Sequence, residues 1–311
     1  MAIKSKVKVR QHMMLARKLI GHFYGNKKIS ITSLAGGISN YVFSAKLSHE
    51  ELVVRISDKP EKIMAFQKEQ WAVDIARENK IPVPEILEVG NEIIPVPYMI
   101  SRKIKGVEAT AHSNRLQVIF DMGVYAAKIN LIPTHSFGND FDWSENILSK
   151  NRSWKEYLHK ELRVTQRLDT LIKHKMLLPK DIPGIKAKLK EMESWRKKPS
   201  LNHGDIRLKN VITDKQGKII SIIDWENCTS NIAPFWDLSI SLHDLTIDEQ
   251  EQFLKGYGIT PQKYIKMSPF IKILNILHYA PLVEKQVRKK NFKKLQQYRI
   301  RINGSMDMFS L

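Results

Sequence analysis

Residues 201–226 carry three polar side chains, Asp205, Asn210 and Asp224, at the two ends of what reads as a short β-hairpin. His203-Gly204-Asp205 followed by Asn210 has the spacing H-x-D-x-x-x-x-N. That spacing suits transfer of a phosphoryl group from a nucleotide. One carboxylate takes the proton of an attacking hydroxyl, while an amide and a second carboxylate hold Mg²⁺ on the phosphates. Asp205 is then the candidate base, and Asn210 and Asp224 are candidate metal ligands. Asp214-Lys215-Gln216-Gly217 supplies turn chemistry. Lys218 to Ile223 runs back as a strand and delivers Asp224 beside Asn210. His203 has a simpler reading, a buried histidine that holds the loop.

The same chemistry needs a phosphate cradle, a cation and a place for the nucleotide base. Gly36-Gly37-Ile38-Ser39-Asn40 lies between two strand-like runs. Glycine there lets backbone N–H groups approach phosphates, although such a turn can also be only a hairpin. Gly36, Gly37 and Ser39 are the candidate cradle. The third strand should carry the cation, and Arg55, flanked by Val54 and Ile56, is placed for it. Glu69, on the following helix, is the best-placed acid to pair with Arg55; an exposed surface pair is the alternative. Ser101, Arg102 and Ile104, in the stretch leading to Gly106, would offer backbone groups to the base.

These residues need scaffolding, and the pattern supplies it. Residues 8–24 have helical spacing, stopped by Gly25-Asn26. Strands are expected at 29–34, 41–47 and 52–56, then a helix over 61–79 that ends before Ile81-Pro82-Val83-Pro84. Two more strands follow at 85–89 and 98–102. From Asn114 the pattern is mainly helical, at 116–130, 154–171 and 185–195. The strand signal returns only at 211–213 and 219–223. Helices at 237–244, 248–257 and 268–278 and a basic helical tail complete the chain. The fold class is α+β, with a β-rich first lobe over residues 1–103 and a helical lobe over 104–311 that holds the catalytic loop and the substrate site.

The chain of 311 residues is long enough for such a pair of cores. A single cysteine, Cys228, excludes an intrachain disulfide framework and fits a reducing compartment. No secretory signal or spanning segment is read, so the expected place is the cytoplasm, without membrane contact. The net charge is +19. Residues 1–30 hold eight Lys or Arg and no acid, and residues 281–311 hold eight against Glu284 and Asp307, so the body between them is nearly balanced. Runs of this kind are usually solvated helix faces, and nucleic acid is not the expected partner.

Together these motifs resemble the aminoglycoside phosphotransferase and choline kinase-like family. The resemblance rests on Gly36 to Asn40, Glu69 ahead of Ile81-Pro82-Val83-Pro84, His203-Gly204-Asp205 with Asn210, Ile223-Asp224-Trp225, and Pro234 followed by Trp236-Asp237-Leu238. Tyr98 to Val107, Phe137-Gly138 and Ser153-Trp154-Lys155 look most like its hygromycin B phosphotransferase branch. It runs from about residue 29 to 257 and implies a bilobal protein-kinase-like fold, Mg²⁺ as cofactor and ATP or GTP as donor. On it Asp237 would brace the catalytic loop. Arg55 departs from the lysine of many members, yet its fork still suits phosphate.

The expected activity is transfer of the γ-phosphate to a hydroxyl of an aminoglycoside, a sugar or a related metabolite, by a monomer or weak dimer. Asp140, Asp142, Glu145, Glu226 and Asp244 are acids that could face the acceptor, or could be solvated surface charges. The alternative is a kinase-like nucleotide-binding scaffold whose basic termini engage nucleic acid or an acidic partner. A protein-substrate kinase ranks last, because the chain from Asp224 to Pro234 is short for a regulated loop.

Overall fold

The computed structural model describes residues 6–25, 29–34, 40–142, 145, 147–148 and 150–307. In chain order these form α1 (Lys6–Tyr24), β1 (Ser30–Ser33), β2 (Tyr41–Lys46), β3 (Glu51–Ile56), α2 (Lys62–Glu78), β4 (Ile86–Gly90), β5 (Tyr98–Arg102), β6 (Val107–Glu108), α3 (Arg115–Asn130), β7 (Phe141–Asp142) and β8 (Ile147–Leu148). Then come α4 (Trp154–Lys160), α5 (Val164–Lys173), α6 (Ile182–Glu193), β9 (Ser200–Asn202), β10 (Val211–Thr213), β11 (Ile219–Ile222), β12 (Thr229–Asn231), α7 (Phe235–Ser241), α8 (Ile247–Tyr257), α9 (Pro261–Arg288) and α10 (Phe292–Asp307). They divide into two compact units, residues 1–113 with 141–146 and 209–226, and residues 114–140 with 147–208 and 227–311.

The first unit is built on an antiparallel sheet in the order β1-β2-β3-β5-β4. β3 is central in it, and its side chains alternate, with Leu52, Val54 and Ile56 buried in the core while Glu51, Val53 and Arg55 face the other way. Ala16, Leu19 and Ile20 of α1 pack into the same core, so part of the basic N-terminal segment is an ordered helix. The unit also holds the β10–β11 hairpin, with β6 on its other edge.

The second unit is mainly helical. Its small sheet pairs β9 with β12, register Leu201 to Ser230. No strand is expected there from the pattern, because Ser-Leu-Asn and Thr-Ser-Asn are only three residues long and buried at every position, too short to show a period of two. The single helix expected over 154–171 is two. Leu162 and Val164, on either side of the break, are both buried. Arg163 between them takes φ 53° and turns the chain.

The helix expected at 268–278 extends to the 28 residues of α9 and contains Pro269 and Pro281. Proline has no N–H for the carbonyl four residues earlier. Both freed carbonyls find other donors. Ser268 Oγ bonds the Ile265 carbonyl at 3.1 Å, and Arg167 Nη1, from α5, bonds the Leu277 carbonyl at 3.3 Å. The basic tail is α10, anchored by buried Tyr298 and Ile302. No helix among the described residues is long and apolar enough to cross a membrane.

Candidate active site

In the first unit, the alternation of β3 aims Arg55 away from the core and toward α2. Arg55 Nη1 donates to Glu69 Oε1 at 2.6 Å, and Glu69 is buried on α2 beside Phe66, Ala72 and Val73. Glu226 joins this cluster, with its Oε2 2.6 Å from Lys62 Nζ and 3.9 Å from Arg55 Nη2. The Arg55 guanidinium lies 5.3 Å from the Phe66 ring centre and the Lys62 ammonium 5.8 Å from it. Burial works against the Arg55 charge, but Glu69, Asp224 and Glu226 hold the group above its ordinary pKa.

The hairpin sets Asn210 and Asp224. Val211 pairs with Ile222, and the Ile223 amide donates to the Asn210 carbonyl at 2.9 Å. Asp224 is therefore one residue beyond the backbone partner of Asn210. It has φ 68°, a left-handed conformation that Asp adopts more readily than most residues. Trp225, buried directly after it, donates from its indole N–H to the Ile222 carbonyl at 2.9 Å and fixes the turn.

In the second unit, β9 feeds the loop His203-Gly204-Asp205. Asp237, fully buried at the start of α7, accepts from the amides of Gly204 at 2.8 Å and His203 at 3.1 Å, and from Asn130 Nδ2 at 2.9 Å. Burial pushes the Asp237 carboxyl above its ordinary range, against the three donors that favour its charge. His203 is buried, and its Nδ1 accepts from the Asp205 amide at 3.2 Å. Asp205 is thus held from below. Its Oδ1 accepts from Arg207, whose Nη1 also donates to Asp244 at 3.1 Å.

The model of the phosphotransferase enzyme family matches residues 30–270. The chain belongs to that family. The family's activity is nucleotide-dependent transfer of a phosphoryl group to a small-molecule hydroxyl. A search of curated proteins gives no match. Among solved structures, the chain is similar to the apo form of a thermostable mutant of aminoglycoside phosphotransferase APH(4)-Ia, at 16% identity over 94% of this chain and 99% of that one, with a TM-score of 0.70. A ternary complex of a thermostable mutant of that enzyme with AMP-PNP and hygromycin B is similar at 17% identity, covering 93% and 96%, TM-score 0.68. The GDP and kanamycin complex of APH(2")-IIIa is similar at 13% identity, covering 95% and 97%, TM-score 0.62. At these identities the likeness shows a shared fold, the protein-kinase-like one expected from the sequence.

Within this phosphotransferase, Arg55 and Glu69 are brought together, as are Asn210 and Asp224. Gly36, Gly37 and Ser39 lie outside the described residues. Ser101 and Arg102 sit on β5, paired with Val53 and Leu52. The Arg102 side chain is engaged by Glu85 and Glu50, and its amide bonds the Glu85 carbonyl at 2.9 Å; Ile104 follows just past the strand. Two of the acids considered for the acceptor have basic partners within their own unit. Glu226 is in the Arg55 cluster, and Asp244 is held by Arg207. Lys62, Arg207 and Asn130 were not singled out from the sequence. Arg207 had a signal, two positions after Asp205 inside the loop motif, while Lys62 and Asn130 had none beyond a helix end.

Gly204 has φ 76°, and a Cβ on it would lie 2.1 Å from the Asn227 carbonyl oxygen. Gly204→Ala should therefore lower unfolding free energy by about 2–4 kcal/mol, from the left-handed backbone and the clash together. Urea denaturation of the two proteins checks it; a loss below about 0.5 kcal/mol would contradict this geometry.

Proposed function

We propose that this phosphotransferase uses Asp205 as the base toward the acceptor hydroxyl, Asn210 and Asp224 as Mg²⁺ ligands, and Arg55, fixed by Glu69, as the cation for the donor phosphates of ATP or GTP. The observation that carries the reading is the braced catalytic loop, in which Asp237 binds two successive amides ahead of Asp205. A base is useful only if its carboxylate is held where the hydroxyl arrives. Here the Asp205 amide is tied to His203 and its carboxylate to Arg207, which supports that role.

A carboxylate and an amide oxygen are hard donors, and Mg²⁺ usually takes one or two such ligands with phosphates and water completing its shell. Asn210 and Asp224, joined through the Ile223–Asn210 backbone bond, fit such an ion. When bound, Mg²⁺ offsets the charge of the phosphates. Gly36, Gly37 and Ser39 remain the proposed phosphate cradle, and the backbone at Ser101, Arg102 and Ile104 the proposed contact for the base. In this reading residues 1–103 serve the nucleotide, and residues 104–311 serve catalysis and the acceptor.

For the acceptor, Arg207 bonds both Asp205 and Asp244. It offsets the two acids that a polycation would otherwise use. This favours a hydroxyl of a neutral sugar or related metabolite over an aminoglycoside. A nucleotide-consumption screen over aminoglycosides, sugars, amino alcohols and nucleosides tests it, with turnover expected first among the neutral polyols. Turnover confined to aminoglycosides would reject this acceptor class and leave the catalytic assignment standing. The scaffold reading, with nucleic acid on the basic termini, is tested by point substitutions in α10, because removing residues 281–311 would cut through α9.

A further inference from the structure

In the second unit, α5, α9 and the residues Asp140, Lys150 and Asn151 wall a cavity of about 480 Å³, room for a sugar-sized ligand. Lys150 and Arg163 line it, and neither side chain has a hydrogen bond or ion pair with a described residue. Arg163 stands at the left-handed position before α5, with Arg167 one helical turn further on. Arg167 spends one N–H on the Leu277 carbonyl. Burial pushes its guanidinium below the ordinary range; Tyr157 and Glu284 oppose this, and the like charge of Arg163 adds to it.

The acids on the wall are largely committed. Glu161 accepts from the Asn139 amide at 2.6 Å and from Asn151 Nδ2 at 2.7 Å, and Glu284 accepts from Thr170 Oγ1 at 3.1 Å. Asp140 is exposed at the rim. Among the described residues the wall therefore holds two cations whose side chains have no ion pair, and a partly buried third with Glu284 as its counter-charge. Lys150 and Arg163 are exposed and Arg167 is partly buried, and a dianion can pair with more than one of these cations where a single carboxylate would leave one unmatched. Guanidinium forks suit phosphate oxygens. The remaining space is polar, with Gln166 and Thr170 able to meet hydroxyls.

We infer that this cavity binds a phosphate dianion, free or esterified to a small polyol, through Lys150, Arg163 and Arg167. It is a separate site from the donor-phosphate cation Arg55, and the inference does not rest on the catalytic reading.

The test is calorimetric titration of inorganic phosphate and of a hexose phosphate into the full chain, as wild type, as Arg55→Met and as Lys150→Ala with Arg163→Gly. Glycine is relaxed at the φ of Arg163, so the double variant should fold with an unchanged or higher Tm; Lys150→Ala alone, at an exposed position, is the second probe. Wild type and Arg55→Met should bind alike, with the double variant at least about 10-fold weaker and Lys150→Ala about 3-fold weaker. Tighter binding of the hexose phosphate assigns the site to an ester, and equal binding assigns it to free phosphate. Equal affinity of wild type and double variant, or no saturable binding in wild type below about 20 mM, overturns the inference.

Discussion

Replacing Asp205 by Asn should lower kcat by about 10²–10⁴-fold while leaving the Kd for nucleotide within about twofold. The substitution keeps the shape of the side chain and one carbonyl oxygen for Arg207, so the Arg207–Asp244 link and the loop backbone persist. It removes the capacity to take a proton, together with the negative charge that Arg207 pairs with. The His203 Nδ1 bond reaches the Asp205 amide and not its carboxylate, so the backbone anchor is untouched. Steady-state kinetics on the acceptor found by the screen, with nucleotide affinity measured separately, divide the two effects. Turnover equal to wild type would remove Asp205 from the reaction, and a matching loss of nucleotide binding would make it a structural residue.

At Asp224 the loss should fall on the donor side. Asp224→Asn is expected to weaken binding of Mg²⁺-nucleotide by about 10–100-fold and to lower turnover by about 10³-fold, because the amide lacks the charge that holds a divalent cation. Asparagine tolerates left-handed backbone about as well as aspartate, so the φ of 68° adds no folding defect. Asp224→Ala, by contrast, should also lose about 1 kcal/mol of stability to that backbone. Chelation with EDTA is the control: it should weaken nucleotide binding in wild type and change little in Asp224→Asn. A variant that keeps the full Mg²⁺ dependence of wild type would show that another residue carries the metal.

Much of this site is local in sequence, which is why it was legible. The loop from His203 to Asn210 and the hairpin to Asp224 are contiguous, and their spacing alone points to the proposed roles. Arg55 and Glu69 are 14 residues apart, joined by one strand and one helix whose periodicities fix the faces that confront each other. What was not legible depends on distant partners. Asn130 reaches Asp237 across 107 positions, and only packing of α3 against the loop makes that bond. Arg207 could be seen inside the motif, but its hold on both Asp205 and Asp244 depends on where α7 ends. The strands β9 and β12 were hidden because each is only three residues long and, Leu201 apart, their buried positions are polar, so no apolar rhythm marks them.

The two prolines of α9 bear on the order in which the chain is assembled. Its 28 residues do not form a self-sufficient rod, since the carbonyls of Ile265 and Leu277 lack the donors an uninterrupted helix would give them. Ser268 repairs the first break from within α9, and Arg167 repairs the second from α5. The first half of α9 can therefore form by itself. Its C-terminal turns gain their last partner only once α5 has docked, so these two stretches should order and melt as one cooperative unit.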